Sequence, residues 1–170
     1  MPPILLIVGK SRAGKTTLIE KLVPELKRRG HKIGTIKHAH HGFDIDKKGK
    51  DSRRHQVAGA DTVVVASPDA IAMIKKEPWQ RLENLTGYFQ DMDLILTEGF
   101  KREKKPKIEI HRAATHKSPA CLNDADLVAF VTDSDFNLKV PTFGLEDIRQ
   151  IADFIENNIL GLRLSAVHGK

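Results

Sequence analysis

The sequence predicts an α/β fold with a mostly parallel sheet, and three observations carry this prediction. The apolar run Ile4–Val8 is typical of a buried strand, and it leads through Gly9-Lys10-Ser11-Arg12-Ala13-Gly14-Lys15-Thr16 into a helical pattern. Strand-like and helix-like segments then alternate along the chain. Two apolar segments, 62–66 and 70–74, stand close enough to form an antiparallel hairpin. We therefore predict a P-loop three-layer α/β/α sandwich with a mostly parallel sheet and an antiparallel hairpin.

The other elements follow in chain order. Helical spacing of leucines predicts a first helix that ends at Gly30, and a strand over 31–37 completes a βαβ unit. Further strands are predicted over 93–99, 106–111, 127–131 and 140–143. Further helices are predicted from 51 to 59, from 79 to 90 and from 146 to 159.

Size and composition favour one nucleotide-binding domain over 1–160, followed by a flexible tail over 161–170. No apolar run reaches the roughly 20 residues of a membrane span, and the apolar start is too short for a signal peptide, so we expect a cytoplasmic protein. Cys121 is the only cysteine, which excludes an intrachain disulfide and favours a small buried side chain.

The positive charge is concentrated near the start of the chain. The net charge is +6, and residues 1–60 hold 14 Lys and Arg against 5 Asp and Glu. Such a field suits a multiply charged anion. Only 5% of the residues are aromatic, which leaves few rings for base stacking and disfavours nucleic acid.

The spacing Gly-x4-Gly-Lys-Thr is typical of a phosphate loop. Its backbone N–H groups curl around phosphate oxygens at the positive end of the following helix. Lys15 reaches the β- and γ-phosphates, and the Thr16 hydroxyl can bind Mg²⁺. We assign nucleotide contacts to the loop and to the end of the second strand: Gly9, Lys10, Ser11, Arg12, Ala13, Gly14, Lys15, Thr16, Thr17, Lys37 and His38.

Two acidic residues compete for the magnesium on the opposite side of the loop. Asp93 opens an apolar strand, and Glu98 closes it. Ligands of parallel sheets bind at the carboxyl ends of the strands, which places Glu98 ~17 Å nearer the nucleotide than Asp93. We therefore expect Glu98 to bind the metal ion together with the Thr16 hydroxyl, and we assign Glu98 as a catalytic residue.

A charged segment over 38–50 lacks apolar periodicity. His38, His40 and His41 could converge on zinc, but an extended segment provides no third ligand of suitable geometry, which favours a substrate-facing or nucleotide-responsive loop. Asp44 and Asp46 could approach Mg²⁺ or orient water, or could form a solvated turn.

The residues leave the choice between ATP and GTP open. Thr132-Asp133-Ser134-Asp135 follows a buried strand, where a carboxylate could accept from guanine or cap a turn.

Several motifs together resemble one family. In chain order, the motifs are Gly9 to Thr17, Ile36-Lys37-His38-Ala39-His40-His41, Asp44-Ile45-Asp46, Gly49-Lys50-Asp51-Ser52, Ala58-Gly59-Ala60 and 93–101 with its Glu-Gly-Phe-Lys. Together they resemble the MobB family of molybdopterin-guanine dinucleotide biosynthesis adaptors. The resemblance implies a dimeric GTP-binding protein with weak GTPase activity. It also implies assistance to MobA, the guanylyltransferase that joins GMP to molybdopterin.

The same resemblance implies roles for individual residues. By position, Gly14, Lys15 and Thr16 bind phosphate and Mg²⁺, and Glu98 matches the acid of the second nucleotide motif. Arg12 stands where many phosphate loops have glycine.

The other functional class is a small kinase or nucleotidyltransferase that acts on a phosphorylated substrate, with the basic segment 101–107 as its lid.

Overall fold

The computed structural model describes residues 1–39, 42–43, 46, 49–77 and 81–161. The chain forms two compact units: Met1–His38 with the chain from Leu85 onward, and Ala39–Asn84. The single nucleotide-binding domain over 1–160 stays a prediction. The predicted tail lies outside the described residues from 162 on.

Among the described residues, eight strands and three α-helices follow one another in the predicted order, apart from the helix predicted over 79–90. The strands are β1 (Ile4–Val8), β2 (Ile33–Lys37), β3 (Thr62–Ala66), β4 (Ile71–Lys75), β5 (Leu94–Glu98), β6 (Lys107–His111), β7 (Leu127–Thr132) and β8 (Thr142–Phe143). The helices are α1 (Lys15–Arg28), α2 (Asp51–Val57) and α3 (Ile148–Ile155). A 3-10 helix spans Leu82–Phe89, and a π-helical turn, Glu156–Leu160, continues α3.

The first unit is built on a six-stranded parallel sheet with the order β2-β5-β1-β6-β7-β8. β1 therefore lies between β5 and β6. Glu98 pairs in register with both Ile7 and Lys37, and Val8 pairs with Glu109. The carboxyl ends of these strands thus meet at one edge, which confirms the predicted α/β class and places the phosphate loop at that edge.

One face of this sheet is apolar and is covered by α1 and α3. Leu18, Leu22 and Leu26 are the buried residues of α1, spaced one helical turn apart. Gly30 ends this region in a left-handed conformation with φ 95°, and the N–H of His31 donates to the carbonyl of Leu26 at 3.1 Å. This is the glycine-terminated cap that the sequence predicts.

The other face of β6 is polar and equally buried. Lys107, Glu109 and His111 are each no more than 3% exposed. Alternation along the strand points to Ile108 and Ile110 as an apolar face, and these two side chains are buried on the opposite face. The kinase alternative needs the basic segment 101–107 as a lid. Lys107 at the end of this segment is a buried structural residue, because its ammonium group is bonded to Asp124 and to main-chain carbonyls.

The second unit contains the predicted hairpin and a short helix. β3 and β4 pair in antiparallel fashion, with Val64 opposite Met73 and Ala66 opposite Ile71. α2 ends close to Gly59, as predicted. The helix predicted over 79–90 is a 3-10 helix in its described part, where Asn84, Thr86 and Gly87 have low α-helical propensity.

Candidate nucleotide site

The phosphate loop connects β1 to α1 through three residues in positive-φ conformations. Gly9 has φ 144°, and a Cβ there would lie 2.3 Å from the carbonyl oxygen of Ile110, so no larger residue fits. Arg12 takes φ 62°, the left-handed conformation that glycine adopts more easily. Gly14, with φ 104°, is the N-cap of α1. Arg12 therefore has the backbone conformation that glycine has at this position in many phosphate loops, and its backbone is locally strained.

The Lys15 side chain folds back over the loop. Its ammonium group donates to the carbonyl of Gly9 at 3.1 Å and to that of Lys10 at 2.9 Å. Burial lowers the pKa of Lys15; Glu98 acts in the opposite direction, and nearby Lys37 and Lys101 lower it further. Three ammonium groups thus influence one another around a single carboxylate. The site has an excess of positive charge that a polyanion would relieve.

Glu98 and Thr16 meet across the loop. The Thr16 hydroxyl donates to Oε2 of Glu98 at 3.0 Å, and the same oxygen lies 3.6 Å from Nζ of Lys37. Asp93, the competing acid, accepts a hydrogen bond from the backbone N–H of Lys32 at 2.8 Å, at the amino end of β5. The expectation that Glu98 lies beside the loop and Asp93 far from it therefore agrees with the geometry.

A strained turn follows Glu98 and brings His38 to the same edge. Gly99 has φ 101° and Phe100 has φ 58°, a left-handed conformation that is uncommon for an aromatic residue. The rings of His38 and Phe100 stack with centroids 4.8 Å apart. Backbone strain of this kind is concentrated at functional sites. His38, predicted as a nucleotide contact, is thus held next to the end of β5.

The segment between β6 and β7 contacts the phosphate loop, which the sequence analysis missed. The Nε2 atom of His116 lies 2.6 Å from the carbonyl oxygen of Ser11, so this nitrogen carries the hydrogen and donates it. Nζ of Lys10 donates to the hydroxyl of Ser118 at 3.1 Å. Knowing that β6 adjoins β1 would have pointed to these residues, because the segment leaving β6 then starts beside the loop.

Arg112 also lies against the loop. A Cβ on Gly14 would be 3.3 Å from Nε of Arg112. This Nε is buried and has no hydrogen-bond partner among the described residues. An unsatisfied buried donor typically costs ~1–3 kcal/mol, and such groups are rare in native proteins. Arg112 directly follows a buried strand, which was the only signal for it in the sequence.

Of the remaining predicted residues in the charged segment 38–50, only Asp46 is described. Oδ2 of Asp46 accepts from Gln56 at 3.2 Å within the second unit. His40, His41 and Asp44 lie outside the described residues, so their roles stay predictions. Within the described ranges, no group of three or more His, Cys, Asp and Glu side chains is arranged to hold a metal ion.

Asp133 and Cys121 have structural partners. Oδ1 of Asp133 accepts from the backbone N–H of Ala113 at 2.9 Å, and this bond lowers the pKa of the carboxyl group. This is the turn-capping interpretation; guanine recognition there remains untested. Cys121 is buried, as expected, and burial raises the pKa of its thiol.

The residues present fit a triphosphate with magnesium. Gly9 and Gly14 expose backbone without a side chain, and Lys15 lies over the loop backbone. The N–H groups at the start of α1 have no side-chain cap. Thr16 and Glu98 offer a hydroxyl and a carboxylate, the hard oxygen donors that Mg²⁺ prefers. When bound, Mg²⁺ would neutralise phosphate charge.

A parallel sheet with this loop after its central strand defines the α/β P-loop class of proteins. A model of the family described as "Molybdopterin guanine dinucleotide synthesis protein B" (MobB) matches residues 4–133. The chain therefore belongs to the MobB family.

Characterised relatives and solved structures agree with this membership. The chain is 41% identical over 158 residues to the molybdopterin-guanine dinucleotide biosynthesis adapter protein of Haemophilus influenzae, covering 91% of this chain and 88% of that protein. It is 38% identical to the Escherichia coli protein of the same name, covering 91% and 92%. The crystal structure of Bacillus subtilis MobB superposes with a TM-score of 0.75 at 26% identity, covering 92% and 98%.

Proposed function

We propose that this protein is a GTP-binding adaptor that assists the attachment of GMP to molybdopterin. The observation that carries the proposal is the phosphate loop, with Lys15 over its backbone and Thr16 bonded to Glu98. The relatives named above are adapters in the biosynthesis of a guanine dinucleotide. A guanine nucleotide is therefore the ligand that best matches both the site and the pathway.

The partner that follows from this chemistry is a guanylyltransferase of the MobA type, with molybdopterin as a possible further ligand. An adaptor is expected to hydrolyse GTP slowly on its own, because its role is to present or hold the nucleotide rather than to turn it over. Glu98, Asp44 and Asp46 are the proposed acids of this weak GTPase, and the cytoplasm is the proposed compartment.

Calorimetric titration of GTP tests the central assignment. Lys15→Ala should weaken GTP binding by at least about 30-fold, since losing one partner of a desolvated charge pair costs about 2 kcal/mol or more. Lys27→Ala, an exposed lysine at the other end of α1, is the control and should bind like the wild type. Equal affinities of the Lys15 variant and the wild type would refute the proposed function.

The same titration with and without Mg²⁺ tests the role of Glu98. Glu98→Gln keeps the shape of the side chain but removes its charge, so GTP affinity should fall about 10-fold with Mg²⁺ and much less in EDTA. Asp93→Asn, at the other end of β5, should leave both affinities unchanged. Equal losses with and without Mg²⁺ would argue against metal binding by Glu98.

The proposed homodimer draws on an exposed apolar face of the hairpin. Antiparallel pairing places Val64, Ile71 and Met73 on one face, and they are 56%, 76% and 44% exposed. We expect a second copy to cover this face, because exposed apolar patches mark interaction sites. Sedimentation velocity should show about twice the chain mass of 19.0 kDa, and Ile71→Asp should shift the protein toward monomer. A wild-type monomer at tens of micromolar would contradict the dimer.

A further inference from the structure

Arg112 is the first residue after β6, and its guanidinium lies against the phosphate loop. A Cβ on Gly14 would be 3.3 Å from Nε and 3.8 Å from Cζ of Arg112. Gly14 is the N-cap of α1, where the phosphate-facing N–H groups begin. The guanidinium therefore packs beside the residue at which the N–H groups expected to bind an anion begin.

The guanidinium lacks the partners that such a group normally has. Its Nε is buried without a hydrogen bond. Among the residues that the structure describes, no carboxylate forms an ion pair with it. The loop itself contributes further positive charges, on Lys10, Arg12 and Lys15. The partner that suits such a group is a negatively charged hydrogen-bond acceptor.

The sheet order places Arg112 and the proposed magnesium ligands on opposite flanks of the loop. β1 lies between β5, which ends at Glu98, and β6, which ends just before Arg112. Glu98 accepts from Thr16 on the β5 flank. An anion held in the loop thus has a metal-binding flank and a guanidinium flank.

We propose that Arg112 is a phosphate-binding residue of the nucleotide site and that it contacts phosphate oxygens on the flank away from Glu98. This inference rests on the proposed function. The planar guanidinium offers several N–H donors in a fixed geometry that matches phosphate, which a lysine cannot reproduce. Binding of the nucleotide gives the orphaned guanidinium its acceptor and compensates its charge.

This role predicts a loss of nucleotide affinity without a loss of stability in the nucleotide-free protein. Arg112→Met keeps the aliphatic bulk but removes the charge that repels its cationic neighbours. Its affinity for GTP should fall about 10- to 100-fold, by the same factor with Mg²⁺ and in EDTA. Inorganic tripolyphosphate should lose its ability to compete with GTP by a similar factor. The melting temperature of the nucleotide-free protein should stay unchanged or rise.

Two further variants complete the experiment. Arg149→Met removes the same charge from an exposed position of α3 and should alter none of these quantities. Arg112→Lys keeps the charge without the planar donors, so it should fold like the wild type and recover only part of the affinity.

Three outcomes would overturn the proposal. The first is undiminished GTP affinity in Arg112→Met and Arg112→Lys. The second is weakened GTP binding with unchanged competition by tripolyphosphate, which would mean a contact to the nucleoside. The third is a lower melting temperature of the nucleotide-free variants with unchanged affinity, which would mean a structural role. If GTP binding depends on Lys15 but not on Arg112, this inference alone fails; if it does not depend on Lys15, the proposed function fails.

Discussion

The two faces of the central sheet differ most at β6, in the kind of side chain that is buried there. Under α1 and α3, the strands contribute only apolar side chains to the buried cluster: Leu5, Ile7, Leu94, Leu96, Ile108, Ile110, Ala129 and Val131. On the other face, β6 buries Lys107, Glu109 and His111. Burying such charged or polar side chains is costly unless each finds a partner, so these three residues of β6 have to be paired one by one.

Each buried polar group of β6 fixes a different point of the segment that follows the strand. Nζ of Lys107 lies 2.6 Å from Oδ2 of Asp124. The carboxylate of Glu109 accepts from the backbone N–H groups of residues 120 and 121. Nε2 of His111 lies 2.8 Å from the carbonyl oxygen of His116.

The difference between the faces therefore separates folding from positioning. Apolar packing is non-directional and stabilises the fold without demanding particular partners. Hydrogen bonds to buried groups are directional, and those of β6 hold the segment whose His116 bonds to the carbonyl of Ser11. We therefore expect the apolar face to supply most of the stability of the first unit, and the buried polar groups of β6 to help position the phosphate loop.

The sharpest way to break this comparison is to leave a charge unpaired on the polar face. The side chain of Lys107 is 2% exposed, and that of Asp124 is 27% exposed. Asp124→Asn removes the compensating charge, and breaking such a pair costs about 3 kcal/mol, the low end of the usual range because Asp124 is partly exposed. Urea unfolding should show this loss of unfolding free energy.

An ion pair at the surface provides the matched control. Nζ of Lys21 lies 2.5 Å from Oε2 of Glu146, but the two side chains are 38% and 76% exposed. Glu146→Gln should change the unfolding free energy by less than about 1 kcal/mol, because solvent screens the pair. Similar losses in the two variants would mean that burial does not distinguish the two pairs, and the comparison would fail.

The apolar face could be predicted from the sequence almost completely. Runs such as Ile4–Val8 and Leu127–Val131 are strands because little else buries five apolar residues in succession. Glu98 could be placed beside the loop because the carboxyl ends of parallel strands share one edge. These inferences depend on local pattern and general topology.

The polar face could not be predicted in the same way. Alternation in Lys107–His111 indicates one apolar face and suggests a solvated second face. The second face is buried because the segment that follows the strand, up to Asp124, folds back over it. The position of Arg112 could not be predicted for a similar reason: Arg112 lies beside the phosphate loop because β6 pairs with β1.

Acid should weaken the polar face before it weakens the apolar one. The hydrogen bond from Lys107 lowers the pKa of Asp124. Since the folded-state pKa lies below the unfolded one, the stabilisation is complete above the ordinary pKa of about 3.9 and is lost as pH falls through the folded value. The difference in unfolding free energy between wild type and Asp124→Asn should therefore shrink as the pH falls below about 4. A constant difference down to pH 3 would show that Asp124 carries no such linkage.

The smallest effect tests the link between the polar face and the site. His116→Ala removes the hydrogen bond to the Ser11 carbonyl, which is exposed, so the unfolding free energy should change by less than about 1 kcal/mol. GTP affinity should nevertheless fall about 3- to 10-fold, because the loop loses a fixed point and must be ordered when the nucleotide binds. His116→Gln, whose amide can donate in the same direction, should recover part of the loss. If both variants bind GTP like the wild type, the polar face stabilises only its own segment and does not position the phosphate loop.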